Sequence, residues 1–281
     1  FFRFLRDRGV LENYPVKNIA PKAMDWTDCF LNPKNSADTC AWLDKTFNGD
    51  FLPLSESGDE AFFTRIDEVT EGEIFRHLSA VVRGHQPTGN DYQPLFDWTW
   101  QSFDFAHIPV GLLSQVYEAF SWEWTPKEAK KTSQRYTPRN IAVTLLDEAF
   151  DGVSDFADCK VLDPACGAGV FLVLAFRRLY LELWKQSKGK ERPGTDAIRR
   201  ILENQLVGFD ISEEAIKLAA LSLYLTAVEL DPEPQPPNKL RFKNLRGSVL
   251  HNVREPSAEK KGTALGSLSP HLNEKFDGKF D

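Results

Sequence analysis

Methionine, cysteine and long apolar runs are scarce in this sequence. Its 281 residues hold one methionine, Met24, and four cysteines, Cys29, Cys40, Cys159 and Cys166. No two cysteines form a C-x-x-C pair, and His77, His85, His107, His251 and His271 form no H-E-x-x-H, so the spacing offers no metal site. So few cysteines in a chain this long exclude a disulfide mini-scaffold and predict a reduced, cytoplasmic protein. No stretch approaches the roughly 20 apolar residues of a membrane span. The opening residues lack the basic region and small-residue cleavage site of a signal peptide, and no membrane partner is expected. Basic charge is not in excess either: 34 Lys and Arg face 41 Asp and Glu, a net charge of -7. Bulk charge therefore does not announce nucleic acid, although it leaves room for a local basic face. The chain opens on Phe1 rather than methionine, which predicts a piece of something longer.

Two textures are present. Residues 1–122 are rich in Phe and Trp and read as a mainly helical domain, with loops around 48–60 and 84–94. The opening Phe1-Phe2-Arg3-Phe4-Leu5-Arg6-Asp7-Arg8-Gly9 reads as an amphipathic helix stopped by Gly9. Leu112, Leu113, Val116, Tyr117 and Phe120 fall on one stripe and predict a helix over 109–121. Trp98, Trp100, Phe103 and Phe105 are read as core rather than as a base-stacking surface.

Residues 123–281 read as α/β. Thr137 is placed to cap a helix starting at Pro138 and running to Phe150. Cys159–Asp163 is a short buried strand, followed by a helix from Val170 to Lys185 and a polar loop to Thr195. A helix over Asp196–Glu203 and a strand over Gln205–Asp210 come next. Ser212 then caps a helix with Glu213 and Glu214 in its first turn. Leu240–Leu245 is a third strand candidate. Alternating strands and helices predict a mainly parallel sheet covered on both faces.

Chemistry concentrates in three segments: Arg135-Tyr136-Thr137-Pro138-Arg139, Asp163-Pro164-Ala165-Cys166-Gly167-Ala168-Gly169 and Gly208-Phe209-Asp210-Ile211. Glycines at a strand-to-helix turn let backbone approach a nucleotide, and a carboxylate ending the next strand can accept hydrogen bonds from ribose hydroxyls. Two details argue against a dinucleotide. The third glycine of G-x-G-x-x-G is replaced by Leu172, and Asp163 stands where a pyrophosphate would sit. A carboxylate there repels phosphate and attracts a cation. S-adenosylmethionine has no phosphate and carries an ammonium and a sulfonium, which suits that position. Taken singly, Gly167 and Gly169 could be a structural turn, and Asp210 could merely precede a helix cap. Cys166 has no histidine nearby in sequence and is not read as a nucleophile. Lys127, Lys130, Lys131, Arg135 and Arg139, with Glu128 among them, are either a solvated face or a phosphate-contacting one.

D-P-A-C-G-A-G-x-F-L resembles the first motif of N6-adenine DNA methyltransferases. Y-T-P-R resembles the segment those enzymes place over the methionine end of the cofactor, and G-F-D-I-S-E-E-A resembles their second motif. The opening F-R-F-L-R-D-R-G-V resembles a helix of the restriction-modification and phage-defence members. The resemblance implies a Rossmann-like S-adenosylmethionine-dependent methyltransferase domain, incomplete in these residues, behind the helical one. It implies that Tyr136, Thr137 and Pro138 line the methionine end and that Asp163 faces the cofactor amino group. Cys166, Gly167 and Gly169 bring backbone close, Asp210 holds the ribose, and Ile211 packs on the adenine ring. Gly247-Ser248-Val249-Leu250 matches the third motif, with Ser248 standing where the family has Asp or Asn to read the adenine amine. The Asn-Pro-Pro-aromatic motif that holds the target adenine in that family is absent, so no catalytic residue is assigned.

The implied activity is methylation of the N6 amine of adenine in DNA within a restriction-modification or phage-defence system. Its partners would be DNA, a specificity domain or subunit, and a nuclease. In that setting Lys130, Lys131, Arg135 and Arg139 are candidates for phosphate contact. The alternatives are a non-catalytic subunit that binds cofactor or DNA, and a methyltransferase acting on a protein or RNA amine.

Overall fold

The computed structural model describes residues 1–12, 14–47, 52, 54–55, 57–83, 105–107, 137–188, 191–231 and 244–253. The helix expected over 109–121, the loop over 84–94, the boundary at 122/123, and Tyr136, Lys130, Lys131 and Arg135 lie outside them. The described residues fall into two compact units, one within Phe1–Ile108 and one within Pro109–Pro234 and Phe242–Asp281.

In the first unit the regular elements among the described residues are helical. They are α1 (Phe2–Asp7), α2 (Val16–Ile19), α3 (Pro33–Phe47), α4 (Asp59–Thr70) and α5 (Glu73–Arg83), with 3-10 turns at Trp26–Phe30 and Phe105–His107. Helix α1 stops for the reason its sequence suggests. Gly9 adopts φ +71, the Gly9 N–H donates to the Arg6 carbonyl at 2.9 Å, and the Val10 N–H donates to the Leu5 carbonyl at 2.9 Å. This reciprocal pair satisfies carbonyls that a helix end leaves open. Leu5 and Val10 are fully buried beside it.

The arginines of the same segment anchor it. Arg3 Nη1 donates to the Val81 and Val82 carbonyls at 3.1 and 3.2 Å, and Arg6 Nη1 donates to Val82 at 2.7 Å. Both charges thus sit at the carboxyl end of α5, where orphan carbonyls and the helix dipole favour a cation. Arg8 Nη1 donates to the Ala106 carbonyl at 3.2 Å. Asp7 accepts from Arg3 Nε at 2.7 Å and from the Phe105 N–H at 3.1 Å. Phe105 lies under the Arg3 guanidinium at 5.4 Å, and Phe2 meets Phe30 edge-on at 5.4 Å. Among the described residues the aromatics here fill a core.

The second unit holds α6 (Arg139–Ala149), β1 (Val161–Asp163), α7 (Val170–Gln186), α8 (Thr195–Asn204), β2 (Leu206–Asp210), α9 (Glu213–Leu230) and β3 (Leu250–Asn252). The strands are parallel in the order β1-β2-β3. Both crossovers advance in one direction, so the right-handed rule puts α7, α8 and α9 on one face of the sheet. Gly208 permits the close contact on that face. A Cβ there would lie 2.7 Å from Leu172 Cδ1, 2.9 Å from Leu250 Cδ2 and 3.1 Å from Cys166 Sγ. On the opposite face Leu162 is 38% exposed, so the described helices cover one side rather than the two expected.

Several boundaries differ from the sequence reading. Pro138 has φ -54 and ψ 136, an extended residue at the N-cap, and no side chain caps α6. The helix therefore begins at Arg139, and Thr137 is not its cap. Ser212 does cap α9, accepting from the Ala215 N–H at 3.2 Å. In the candidate third strand, 240–243 lie outside the described residues and Asn244 and Leu245 are not in a strand. A tight turn intervenes instead. The Leu245 carbonyl accepts from the Ser248, Val249 and Leu250 N–H groups at 3.2, 2.8 and 2.8 Å, and Gly247 sits at φ +81. Pairing with β2 begins only after it, where the Gly208 N–H donates to the Val249 carbonyl at 2.8 Å.

Candidate functional site

Three strands end at one edge, and the first and second carry carboxylates there. Asp163 closes β1, and Asp210 closes β2. Between β1 and α7 the chain turns through 164–169, with Gly167 at φ +52 and Gly169 at φ +89 as the N-cap of α7. Both glycines occupy backbone that side-chain-bearing residues rarely adopt. Gly169 also brings α7 against α9, since a Cβ there would stand 3.2 Å from Ala219 Cβ. Gly167 is different: a Cβ there meets nothing within 4 Å. The backbone at Gly167 thus faces open space, which is what a ligand approaching main chain needs.

Two hydrogen bonds lash this turn to β2. The Cys166 N–H donates to the Phe209 carbonyl at 2.8 Å, and the Gly167 N–H donates to Asp210 Oδ2 at 2.8 Å. Asp210 Oδ1 accepts from the Ser212 N–H at 2.8 Å. The carboxylate is thereby held rigidly while each oxygen keeps acceptor capacity for a further donor. Asp163 is buried at 9% exposure. Its Oδ1 accepts from the Ala165 N–H at 3.1 Å, whereas Oδ2 is buried with no partner. Burial pushes the Asp163 carboxyl up to about 6; the Ala165 N–H opposes this and the nearby Asp210 charge adds to it. A buried carboxylate oxygen without a donor is costly, and such atoms mark places where a ligand or solvent completes the structure.

The remaining expected residues are distributed unevenly. Cys166 is buried, and burial first, then the charges of Asp163 and Asp210, push its thiol well up, which keeps it protonated and no nucleophile. Ile211, 41% exposed, follows Asp210 and presents an apolar surface at the edge. Thr137 and Pro138 lie just before α6, which packs on α7, and among the described residues no hydrogen bond joins them to the glycine turn. Arg139 opens α6 on an exposed position. A cation in a first turn receives no support from the helix dipole, so helix stability does not account for it there. Ser248 is not brought to the edge. It lies in the turn before β3, its hydroxyl donating to the Asn244 carbonyl, at the amino rather than the carboxyl end of that strand. The residue that β3 delivers to the edge is Asn252, paired in register with Asp210. Sequence reasoning missed it because register across strands has no local signal, although a polar residue ending a short apolar strand was a hint.

Two carboxylates around one glycine turn, one of them with an orphan oxygen, fit a cationic ligand with vicinal hydroxyls and disfavour a phosphate-bearing one. The residues present therefore fit S-adenosylmethionine. Among the described residues no group of His, Cys, Asp or Glu is arranged to hold a metal ion. No described helix is long and apolar enough to cross a membrane. Cys29, Cys40, Cys159 and Cys166 are all free thiols.

Comparison with known proteins bears on the same segment. The sequence model of the N-6 DNA methylase family matches residues 110–235. The chain is 30% identical over 130 residues to the type I restriction enzyme MjaIX methylase subunit of Methanocaldococcus jannaschii, covering 46% of this chain and 20% of that protein. It is 30% identical over 122 residues to the adenine-specific methyltransferase PglX of Streptomyces coelicolor, covering 41% of this chain and 9% of that protein. The chain thus spans a fifth or less of the length of these relatives. No solved structure matches it. The glycine turn and the two strand-end carboxylates lie inside the stretch that is similar to the N-6 DNA methylase family.

Proposed function

We propose that the protein carrying this chain methylates the N6 amine of adenine in DNA with S-adenosylmethionine, as a subunit of a restriction-modification or phage-defence assembly. The observation that carries the reading is the orphan Asp163 Oδ2 at the end of β1, together with a rigidly held Asp210 at the end of the adjacent strand. Above its raised pKa, Asp163 is an anion able to attract the ammonium of the cofactor's methionine part. Asp210 accepts from the ribose hydroxyls on the capacity left by its two main-chain donors. The open face of Gly167 admits the cofactor against main chain, and Ile211 supplies an apolar rest for the adenine. When bound, the cofactor would supply an electrophilic methyl on sulfur for transfer to the target amine. The contribution of this chain is to hold and orient that donor, so that reaction becomes a matter of positioning. The 281 residues hold no Asn-Pro-Pro-aromatic run, and the target adenine is read by residues other than those named here. Tyr136, Thr137 and Pro138 are assigned to the cofactor's methionine end on the strength of the family resemblance, and Lys130, Lys131, Arg135 and Arg139 to DNA phosphates by their position beside that segment.

Calorimetric titration of the full-length protein with S-adenosylmethionine tests the reading, alongside transfer of labelled methyl to duplex DNA. Expected is saturable binding, weakened about 100-fold in Asp210→Ala through loss of charge-assisted hydrogen bonds. Absence of binding by the native protein, or label appearing on protein rather than on adenine, overturns it.

A further inference from the structure

We infer that Gln205 is a positioning residue: by clamping the chain that enters β1 it sets the register of that strand, and so the depth of Asp163 at the cofactor. The inference rests on the cofactor reading above and adds to it the residue that holds Asp163 in place. Gln205 is buried where α8 ends and β2 begins. Its Nε2 donates to the Phe156, Ala157 and Cys159 carbonyls at 2.8, 3.2 and 2.9 Å. Its own carbonyl accepts from the Val161 N–H at 2.7 Å, and Val161 itself pairs in register with Leu206. A carboxamide nitrogen has two hydrogens, so the three carbonyls share them in one fixed arrangement of the entering chain.

Strand β1 needs such a clamp. It is three residues long, and among the described residues it pairs on one side only, with β2. Its own side chains oppose the register they adopt. Leu162 is exposed and Asp163 is buried, the reverse of what burial of apolar surface favours. The partnerless Asp163 Oδ2 makes the native register costlier still. A slip of one residue would turn Leu162 inward opposite Gly208 and Asp163 out to water. Ladder bonds to β2 can re-form after such a slip, whereas a side chain bonded to three particular carbonyls cannot follow it. At its exit the strand is tied by the Cys166 N–H on the Phe209 carbonyl at 2.8 Å, and Gln205 supplies the tie at its entrance. The groups that act on the Asp163 charge are Asp210 at the end of β2 and the Cys166 thiol in the turn. The clamp bonds to neither, so a change at Gln205 reaches Asp163 through the strand.

The test is titration of the full-length protein with S-adenosylhomocysteine from pH 5 to pH 8. The readout is the pH at which affinity stops rising. That pH follows ionisation of Asp163 in the free protein, about 6 in the native chain. Q205M fills a similar volume without the donor. Expected for it is a fall of that pH to about 5, as Asp163 becomes solvated, and an affinity at pH 8 reduced about 10-fold. I198A removes a buried side chain from α8 without touching the clamp, and is expected to lose stability with that pH unchanged. Q205N, one methylene shorter, shifts the pH in the same direction by less, and carries the comparison where Q205M does not fold. An unchanged pH in the Gln205 variants, or an equal shift in I198A, overturns the positioning role and leaves the cofactor reading standing. Failure of the native protein to bind overturns both.

Discussion

The two units treat charge in opposite ways. In the first, Arg3, Arg6 and Arg8 are each bonded to main-chain carbonyls, and Asp7 closes on Arg3 and on the Phe105 N–H. Their charges are consumed in ending helices. In the second, Asp163 is buried with one oxygen unpartnered, and Asp210 spends its oxygens on two main-chain donors, the Gly167 and Ser212 N–H groups. Paired charge in a helical core is architecture. Unpaired anionic charge at a sheet edge costs stability, and its persistence points to a ligand.

That contrast can be broken experimentally. The largest effect is expected where packing rather than charge is at stake. Gly208→Val drives a side chain into Leu172, Leu250 and Cys166, and should cost about 3 kcal/mol in denaturant unfolding. If the cost is negligible, the close seating of α7 on the sheet is not what holds the edge. Arg3→Ala comes next. It removes two of the donors at the end of α5 and leaves Asp7 without its cationic partner, so stability should fall by about 2 kcal/mol with no change in cofactor affinity. A loss of affinity at wild-type stability would contradict the structural role.

Asp163→Asn should do the reverse of Arg3→Ala, raising stability and weakening cofactor binding. The sign can be worked out. The folded pKa of about 6 lies above the ordinary carboxylate value of 3.8, so between these two pH values the native state holds a proton that the unfolded chain releases. The stability this contributes is full below pH 3.8 and is lost as pH rises through about 6. Above that, the buried anion costs about 3 kcal/mol, and Asn removes the cost. Thermal melts of the ligand-free protein from pH 5 to pH 8 should show a decline that is flatter in the variant. Cofactor affinity should show the opposite trend in the native protein, improving as Asp163 ionises. A variant less stable than the native protein at pH 8 would mean that Asp163 is already compensated.

Much of the second unit was legible because its signals are local. The glycine turn, the Ser212 cap and the apolar run of α7 each lie within a few residues of the structure they cause. The same locality makes Gly9 readable as a helix stop. Where the reading failed, competing local options decided. Pro138 tolerates either the first helical position or an extended N-cap, and the structure takes the second. At the described end of the expected third strand, Gly247 and the Leu245 carbonyl form a turn, and β3 begins at Leu250.

From sequence alone came the identity of the chemistry: an acid, two glycines and a second acid at strand-to-helix turns, each readable from its neighbours along the chain. Only the tertiary structure decided which groups are satisfied and which are not. It took the crossing of α7 over β2 to show why position 208 must be glycine. It took the burial of β1 to show that Asp163 keeps an oxygen without a donor. It took the register of β2 against β3 to bring Asn252 rather than Ser248 beside Asp210. Turns and caps are written in contiguous residues, whereas burial and strand register are properties of pairs far apart in the chain, set by how the whole sheet and its helices pack.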